Sequence, residues 1–200
     1  MDTLRNVYVY LNYWRVLPTY IFLLTNKMKE KSKKDFQVWK REVKENRRNN
    51  GLFAFGYVML YRKEFRNIVL NRLHRNPIMW LITRILFHPL DSLYIEMPPE
   101  KIGGLFIQHG FSTIIRANEI GENCWINQQV TIGQTSKTDA PTIGNNCFIY
   151  AGAIVIGNIK ISDSTVIGAG AVVTSDTQEN TVVAGVPARM INTKADYTRS

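Results

Sequence analysis

Aliphatic residues in the second half of the chain return at six-residue steps. Ile114, Ile120, Ile126 and Ile132 form one run, and Ile143, Ile149, Val155, Ile161, Ile167 and Val173 form a second. A helix presents one face every 3.6 residues and a half-buried strand every second residue, so neither explains a sustained period of six. Four residues after most of these aliphatics stands a small or β-branched side chain: Cys124, Val130, Cys147, Ala153, Ile159, Thr165 or Ala171. Glycine often follows directly, as at Gly121, Gly133, Gly144 and Gly168. The pattern predicts a parallel β-helix in which each six residues make one short strand and one turn, with the aliphatics stacked inward.

Two irregularities interrupt the repeat. Between Ile132 and Ile143 the segment GQTSKTDAPT carries five residues more than one repeat needs, which predicts a loop standing out from the solenoid. Upstream, Ile102 and Ile107 are out of phase with Ile114, so the first coil is irregular, and His109 lies within it. The first ninety residues have a different periodicity. In KKDFQVWKREVKENRR, Phe36, Trp39 and Val43 share a helical face, and LFAFGYVMLYRKEFRNIVLNRL and PIMWLITRILFHPL read as further apolar helices. Asn49-Asn50-Gly51 and Pro77 mark the breaks between them.

Composition divides the chain at the same place. The net charge is +9, and residues 1–100 hold 18 Lys+Arg against 9 Asp+Glu, whereas residues 101–200 are balanced. Such a surface attracts nucleic acid, anionic lipid or a phosphorylated ligand. No zinc-finger spacing or RNP-type aromatic motif is present, so no nucleic-acid partner is expected. Cys124 and Cys147 fall on the small inward position and read as core residues, and no Cys/His spacing suits a metal. His74 and His88 read as structural or solvated. The apolar run VLPTYIFLL is too short to span a bilayer, and with Arg5, Arg15 and Pro18 among its apolar residues the segment 1–24 is not expected to be a signal peptide. A cytoplasmic protein is expected, with the basic helices a candidate surface for the inner face of the cell membrane.

The segments IGENCWINQQVTIG, IGNNCFIYAGAIVIGNIKI and IGAGAVVTSDTQENTVVAGVPARMI resemble the hexapeptide-repeat acyltransferases. More narrowly, they resemble the serine acetyltransferase-like branch, which includes capsular and exopolysaccharide O-acetyltransferases. The resemblance covers residues 94–192. It implies a left-handed parallel β-helix, a homotrimer, and acetyl-CoA as co-substrate in the groove between neighbouring subunits, with no metal. In FIQHGFSTIIRANEIG it implies that His109 is the general base, and imidazole chemistry suits removal of a hydroxyl proton near neutral pH. Its acidic partner is expected at Glu96, one residue closer to Lys101 than in the family pattern, with Glu100 the other candidate. For the cofactor the resemblance points to Gly133, Gln134, Ala151, Gly152, Ala169, Thr174 and Ser175, with Arg189 and Lys194 toward the nucleotide phosphates.

The resemblance also bears on the acceptor. Serine acetyltransferases carry an Arg-His pair in the outward loop, but here Lys137 is the loop's one cation, and Gln108 replaces the aspartate that precedes the histidine. Gln108 and Lys137 are therefore candidate acceptor-binding residues, and a sugar hydroxyl of a bacterial surface polysaccharide, of capsule or exopolysaccharide, is the expected acceptor. Serine or another small molecule is the alternative substrate, and a non-catalytic β-helix scaffold is the alternative class. The expected organisation is a basic helical segment over 1–90, a left-handed β-helix over 91–192 and a tail over 193–200.

Overall fold

A computed structural model of the chain describes residues 2–42, 51–137 and 139–192. The predicted positions Val43, Asn49 and Asn50, Lys194 and the tail from 193 lie outside the described residues. The chain divides into two compact units, residues 1–90 and 91–200.

The first unit is helical: α1 (Asp2–Leu11), α2 (Tyr13–Thr25), α3 (Lys29–Glu42), α4 (Leu52–Tyr61), α5 (Lys63–Arg72) and α6 (Pro77–Leu86). Helix α4 is apolar on every side and forms the centre, with Phe53 to Met59 all buried. The continuous apolar reading across α4 and α5 breaks at Arg62, whose extended backbone (φ −124°, ψ 100°) ends one helix and starts the next. Asn76 caps α6 by accepting from the Met79 N–H (3.0 Å), with Pro77 in the first turn, where it loses no helical hydrogen bond. Between α3 and α5 the buried Arg72 guanidinium donates twice to Asp35, at 2.7 and 3.0 Å. Thr19 of α2 meets Thr83 of α6 at 2.8 Å, both fully buried. Arg66 donates to the carbonyls of Met59, Leu60 and His88, tying the end of α4 to the segment after α6.

The second unit is a parallel β-helix, the class that the six-residue period predicts. Its strands are β1 (Leu93–Ile95), β2 (Leu105–Ile107), β3 (Thr113–Ile115), β4 (Glu119–Ile120), β5 (Cys124–Ile126), β6 (Thr131–Gly133) and β7 (Thr142–Ile143). They continue with β8 (Phe148–Ile149), β9 (Ile154–Ile156), β10 (Lys160–Ile161), β11 (Val166–Ile167), β12 (Val172–Val173), β13 (Val182–Gly185) and β14 (Ala188–Asn192). They form three faces: β1-β3-β6-β9-β12, then β4-β7-β10, then β2-β5-β8-β11-β13 with β14 antiparallel at its end. The chain winds from the first face to the second to the third and back, which leaves three edges.

The inward column of each face is aliphatic. Ile120, Ile126, Ile132, Ile143, Ile149, Val155, Ile161, Ile167 and Val173 are all buried, as are the small residues at the turns. One position in the repeat needs correction. Ile114 points outward and is 40% exposed, while Ile115 is fully buried and pairs with Ile132. Thr113 and Ile115 occupy the inward phase of the strand, so the next turn is one residue shorter than the repeat implies. Both cysteines lie in the core. The hydrogen bond to Cys147 and burial push the Cys124 thiol well above its ordinary value, which suits a packing role.

Candidate functional site

Each edge of the solenoid has its own chemistry. The edge between the second and third faces is structural. Gly103, Gly121 and Gly144 stack there, and a Cβ on Gly121 would sit 2.6 Å from the Gly144 backbone. The residues that follow, Asn123, Asn146, Ser164 and Asn180, all adopt φ between 55° and 58°, a left-handed conformation that asparagine tolerates.

The edge between the third and first faces carries His109. Later coils cross this edge in a fixed length: Ile126 to Thr131, Ile149 to Ile154 and Ile167 to Val172 are each five residues. From Ile107 to Ile114 the crossing takes seven, although both ends stay in register with the next coil. The first coil thus has a two-residue bulge at this corner, and His109-Gly110 sits in it. His109 is exposed, has φ 54°, and its carbonyl accepts from the Phe111 N–H at 2.7 Å. Gln108 is anchored beside it by its N–H to the Ile126 carbonyl, at 2.9 Å.

Below His109 on the same edge lie Asn127, Gln128 and Gln129, then Ala151 and Gly152, then Ala169 and Gly170. The Trp125 indole N–H donates to Asn127 Oδ1 at 2.6 Å, and the Gln129 N–H reaches the Phe111 carbonyl at 3.0 Å. Gln128 Oε1 is buried and takes no hydrogen bond among the described residues. Gly152 and Gly170 have φ of 72° and 67°, and their missing side chains leave the backbone of this edge open.

The edge between the first and second faces carries the other predicted residues: Glu96 after β1, Gly133 and Gln134 at the start of the outward loop, Lys137 within it, and Thr174 and Ser175 after β12. The loop is held internally. Asp139 accepts from the Thr135 and Ser136 N–H groups, at 3.0 and 2.5 Å, and from the Thr135 hydroxyl. These donors, the hydroxyl first, hold its carboxyl below the usual range. Gln134 donates to the Lys137 carbonyl at 3.3 Å, and the Asn118 amide donates to the Ala140 carbonyl at 2.6 Å where the loop rejoins the solenoid.

Within one chain, therefore, Glu96 does not stand beside His109. It lies across the first face, on the loop edge, and pairs with Arg116 of the next coil at 3.8 Å, both half exposed. Glu100, in the short helical turn Pro99–Lys101, leads toward the second face and is likewise away from the His109 corner. Two residues beside the candidate site escape the sequence reading. Arg116 follows β3; its backbone N–H donates to the Ile132 carbonyl at 2.9 Å, next to Gly133, while its guanidinium faces Glu96 of the preceding coil. Gln128 is the other. The only signal for either is its position just after a strand, which the repeat does not assign to an edge.

At the far end of the solenoid, Ser175 and Arg189 line one cavity of about 210 Å³ with Asp176, Thr177 and Gln178. Arg189 donates there to the Ala188 carbonyl at 2.9 Å. Four coil steps separate β2 from β13, roughly 19 Å at about 4.8 Å each. Among the described residues no cluster of His, Cys, Asp or Glu could hold a metal ion.

The bacterial transferase hexapeptide pattern (six repeats) matches residues 140–175. The match lies within the second unit. The solenoid is similar in sequence to the serine acetyltransferase of Synechococcus elongatus, 42% identical over 118 residues, 56% of this chain and 48% of that protein. It is also similar to the serine acetyltransferase of Staphylococcus aureus, 42% identical over 99 residues, 47% of this chain and 46% of that protein. The chain thus spans about half the length of these relatives. In fold, the chain is similar to the Neisseria gonorrhoeae serine acetyltransferase in complex with serine (TM-score 0.61, 24% identity, covering 85% of this chain and 71% of that one). It is likewise similar to the Brucella abortus serine acetyltransferase in complex with coenzyme A (TM-score 0.56, 24% identity, 86% and 71%). These likenesses agree with a left-handed hexapeptide solenoid.

The relatives overturn the surface-polysaccharide acceptor. Proteins 42% identical to the solenoid are serine acetyltransferases, so the capsule or exopolysaccharide reading drawn from the loop and Gln108 does not stand. Its weakness is physical. It took the outward loop as the sole source of cations, whereas Arg116, paired with Glu96, stands on the same edge in the coil before the loop.

Proposed function

We infer that the protein is an acetyl-CoA-dependent O-acetyltransferase of a small hydroxylated acceptor, serine being the acceptor named for its relatives. The observation that carries this reading is His109, lifted out of the solenoid by a two-residue bulge at the head of an edge lined by Gly and Ala backbone. The imidazole accepts the hydroxyl proton as the acceptor oxygen attacks the thioester carbonyl carbon. The tetrahedral intermediate collapses with cleavage of the C–S bond, and the imidazolium returns the proton to the departing thiolate. Transfer is direct, with no acyl-enzyme. A backbone N–H of the corner suits the oxyanion.

The His109 edge and the loop edge flank one face and cannot converge within a chain. The reading therefore includes a trimer in which the loop edge of one subunit lies against the His109 edge of the next. Arg116 then offers its guanidinium to the acceptor carboxylate, and Glu96 is brought toward the neighbouring imidazole.

Thiol release from acetyl-CoA, measured with serine against a panel of small alcohols and amino acids, tests the assignment. His109→Ala is expected to lower kcat by about 10²-fold or more with coenzyme A affinity kept, in line with general-base contributions. Near-normal turnover in a folded variant, or no acetyl-CoA-dependent turnover in the wild type, refutes it.

A further inference from the structure

Among the described residues the helical unit leaves two apolar stripes uncovered, a short one on α6 (Ile78, Leu81, Ile82 and Ile85) and a longer one on α1 and α2. Leu4, Val7, Tyr8 and Leu11 of α1, then Trp14, Leu17 and Ile21 of α2, follow one another at steps of mostly three and four residues, and all are exposed. Leu4 is 78% exposed, Leu11 70% and Trp14 67%, values that single surface hydrophobics reach but a continuous row rarely does. The opposite side is already used, since Val9, Val16, Thr19 and Leu23 are buried in the unit's core. Two apolar faces on one helical arm mean that the outer one meets a second apolar phase.

Charge decides what that phase is. No Asp or Glu occurs from Thr3 to Lys29, while Arg5, Arg15, Lys27 and Lys29 do. Residues 1–90 hold 18 Lys+Arg against 6 Asp+Glu, and residues 91–200 hold 7 against 10. A second copy docked through the same stripe would bring two strongly cationic units together, which disfavours that occupant. An anionic bilayer is complementary in both respects. It takes the aliphatic row below the headgroups, Trp14, Tyr8 and Tyr10 at headgroup depth, and the flanking cations at its charged surface. No helix among the described residues is long and apolar enough to cross a membrane, which leaves in-plane contact.

We propose that α1 and α2 form an in-plane amphipathic arm that docks the protein on an anionic lipid surface. The inference is independent of the acyl-transfer reading, because it uses no residue of the solenoid.

The test is flotation of the full chain with vesicles of phosphatidylcholine, alone or mixed with phosphatidylglycerol. Co-flotation is expected with the anionic vesicles only, and it weakens as salt is raised. Leu11→Ser, Trp14→Ser and Ile21→Ser combined should lower the bound fraction roughly tenfold or more, with helicity and any thiol-release activity unchanged. Lys27→Gln and Lys29→Gln combined, both at exposed positions, should weaken binding to anionic vesicles in the same direction. Absence of wild-type flotation, equal binding to neutral vesicles, or a triple-serine variant that floats like the wild type overturns the proposal. So does wild-type self-association in solution that the triple-serine variant abolishes, which would identify a second copy as the occupant.

Discussion

Asp163 shows how much one side chain does in a coil of six residues. Its carboxylate accepts from the Asn145 N–H at 2.8 Å and from the Asn145 side-chain amide at 3.0 Å, joining two successive coils at the glycine edge. Those two donors, the side-chain amide first, hold its carboxyl below the ordinary aspartate range. A depressed folded-state value stabilises the fold above the unfolded value of about 3.9 and ceases to do so as pH falls through the folded one. Asp163→Ala should therefore cost about 1–2 kcal/mol at neutral pH. Urea unfolding across a pH series should show that gap to the wild type closing on acidification below about pH 4. A gap that widens in acid would contradict the role given to Asp163.

The coil is the next scale, and its regularity rests on what cannot fit. Gly103, Gly121 and Gly144 recur at one corner because each Cβ would enter the backbone of the coil beyond it. Gly121→Ala is expected to destabilise the solenoid by about 1–3 kcal/mol, read as a lower urea midpoint. Gly133→Ala, where a Cβ meets only the Thr131 methyl at 3.9 Å, should leave stability within about 0.5 kcal/mol of the wild type. Equal midpoints for the two variants would count against the corner argument. These elements were legible in the sequence because the inward aliphatics and the tight corner both impose residue types at a fixed period. The bulge at His109-Gly110 was visible only as a loss of phase, since a two-residue insertion and a turn one residue shorter partly offset each other around Ile114 and Ile115. Arg116 and Gln128 were not legible at all. Their importance depends on the edge each occupies, and an outward residue carries no periodic mark of its edge.

At the scale of the whole molecule, the candidate site residues lie on two edges that one chain cannot bring together. Gln108, His109, Gln128, Ala151, Gly152 and Ala169 share one edge, while Glu96, Arg116, Gly133, Gln134, Lys137, Thr174 and Ser175 share another. If neighbouring subunits bring them together, two defective chains can repair each other. His109→Ala abolishes the first edge, and a chain whose residues 134–141 are replaced by a short turn abolishes the second. Each alone should be inactive or nearly so. Unfolded and refolded together in equal amounts, they form some interfaces with the intact histidine edge from one chain and the intact loop edge from the other. With random assortment in a closed ring, about one interface in four has both intact edges. Thiol release should then return to roughly a quarter of the wild-type rate, and to none when the two variants are mixed without refolding. A site confined to a single chain predicts no recovery in either case, because every chain in the mixture lacks one edge.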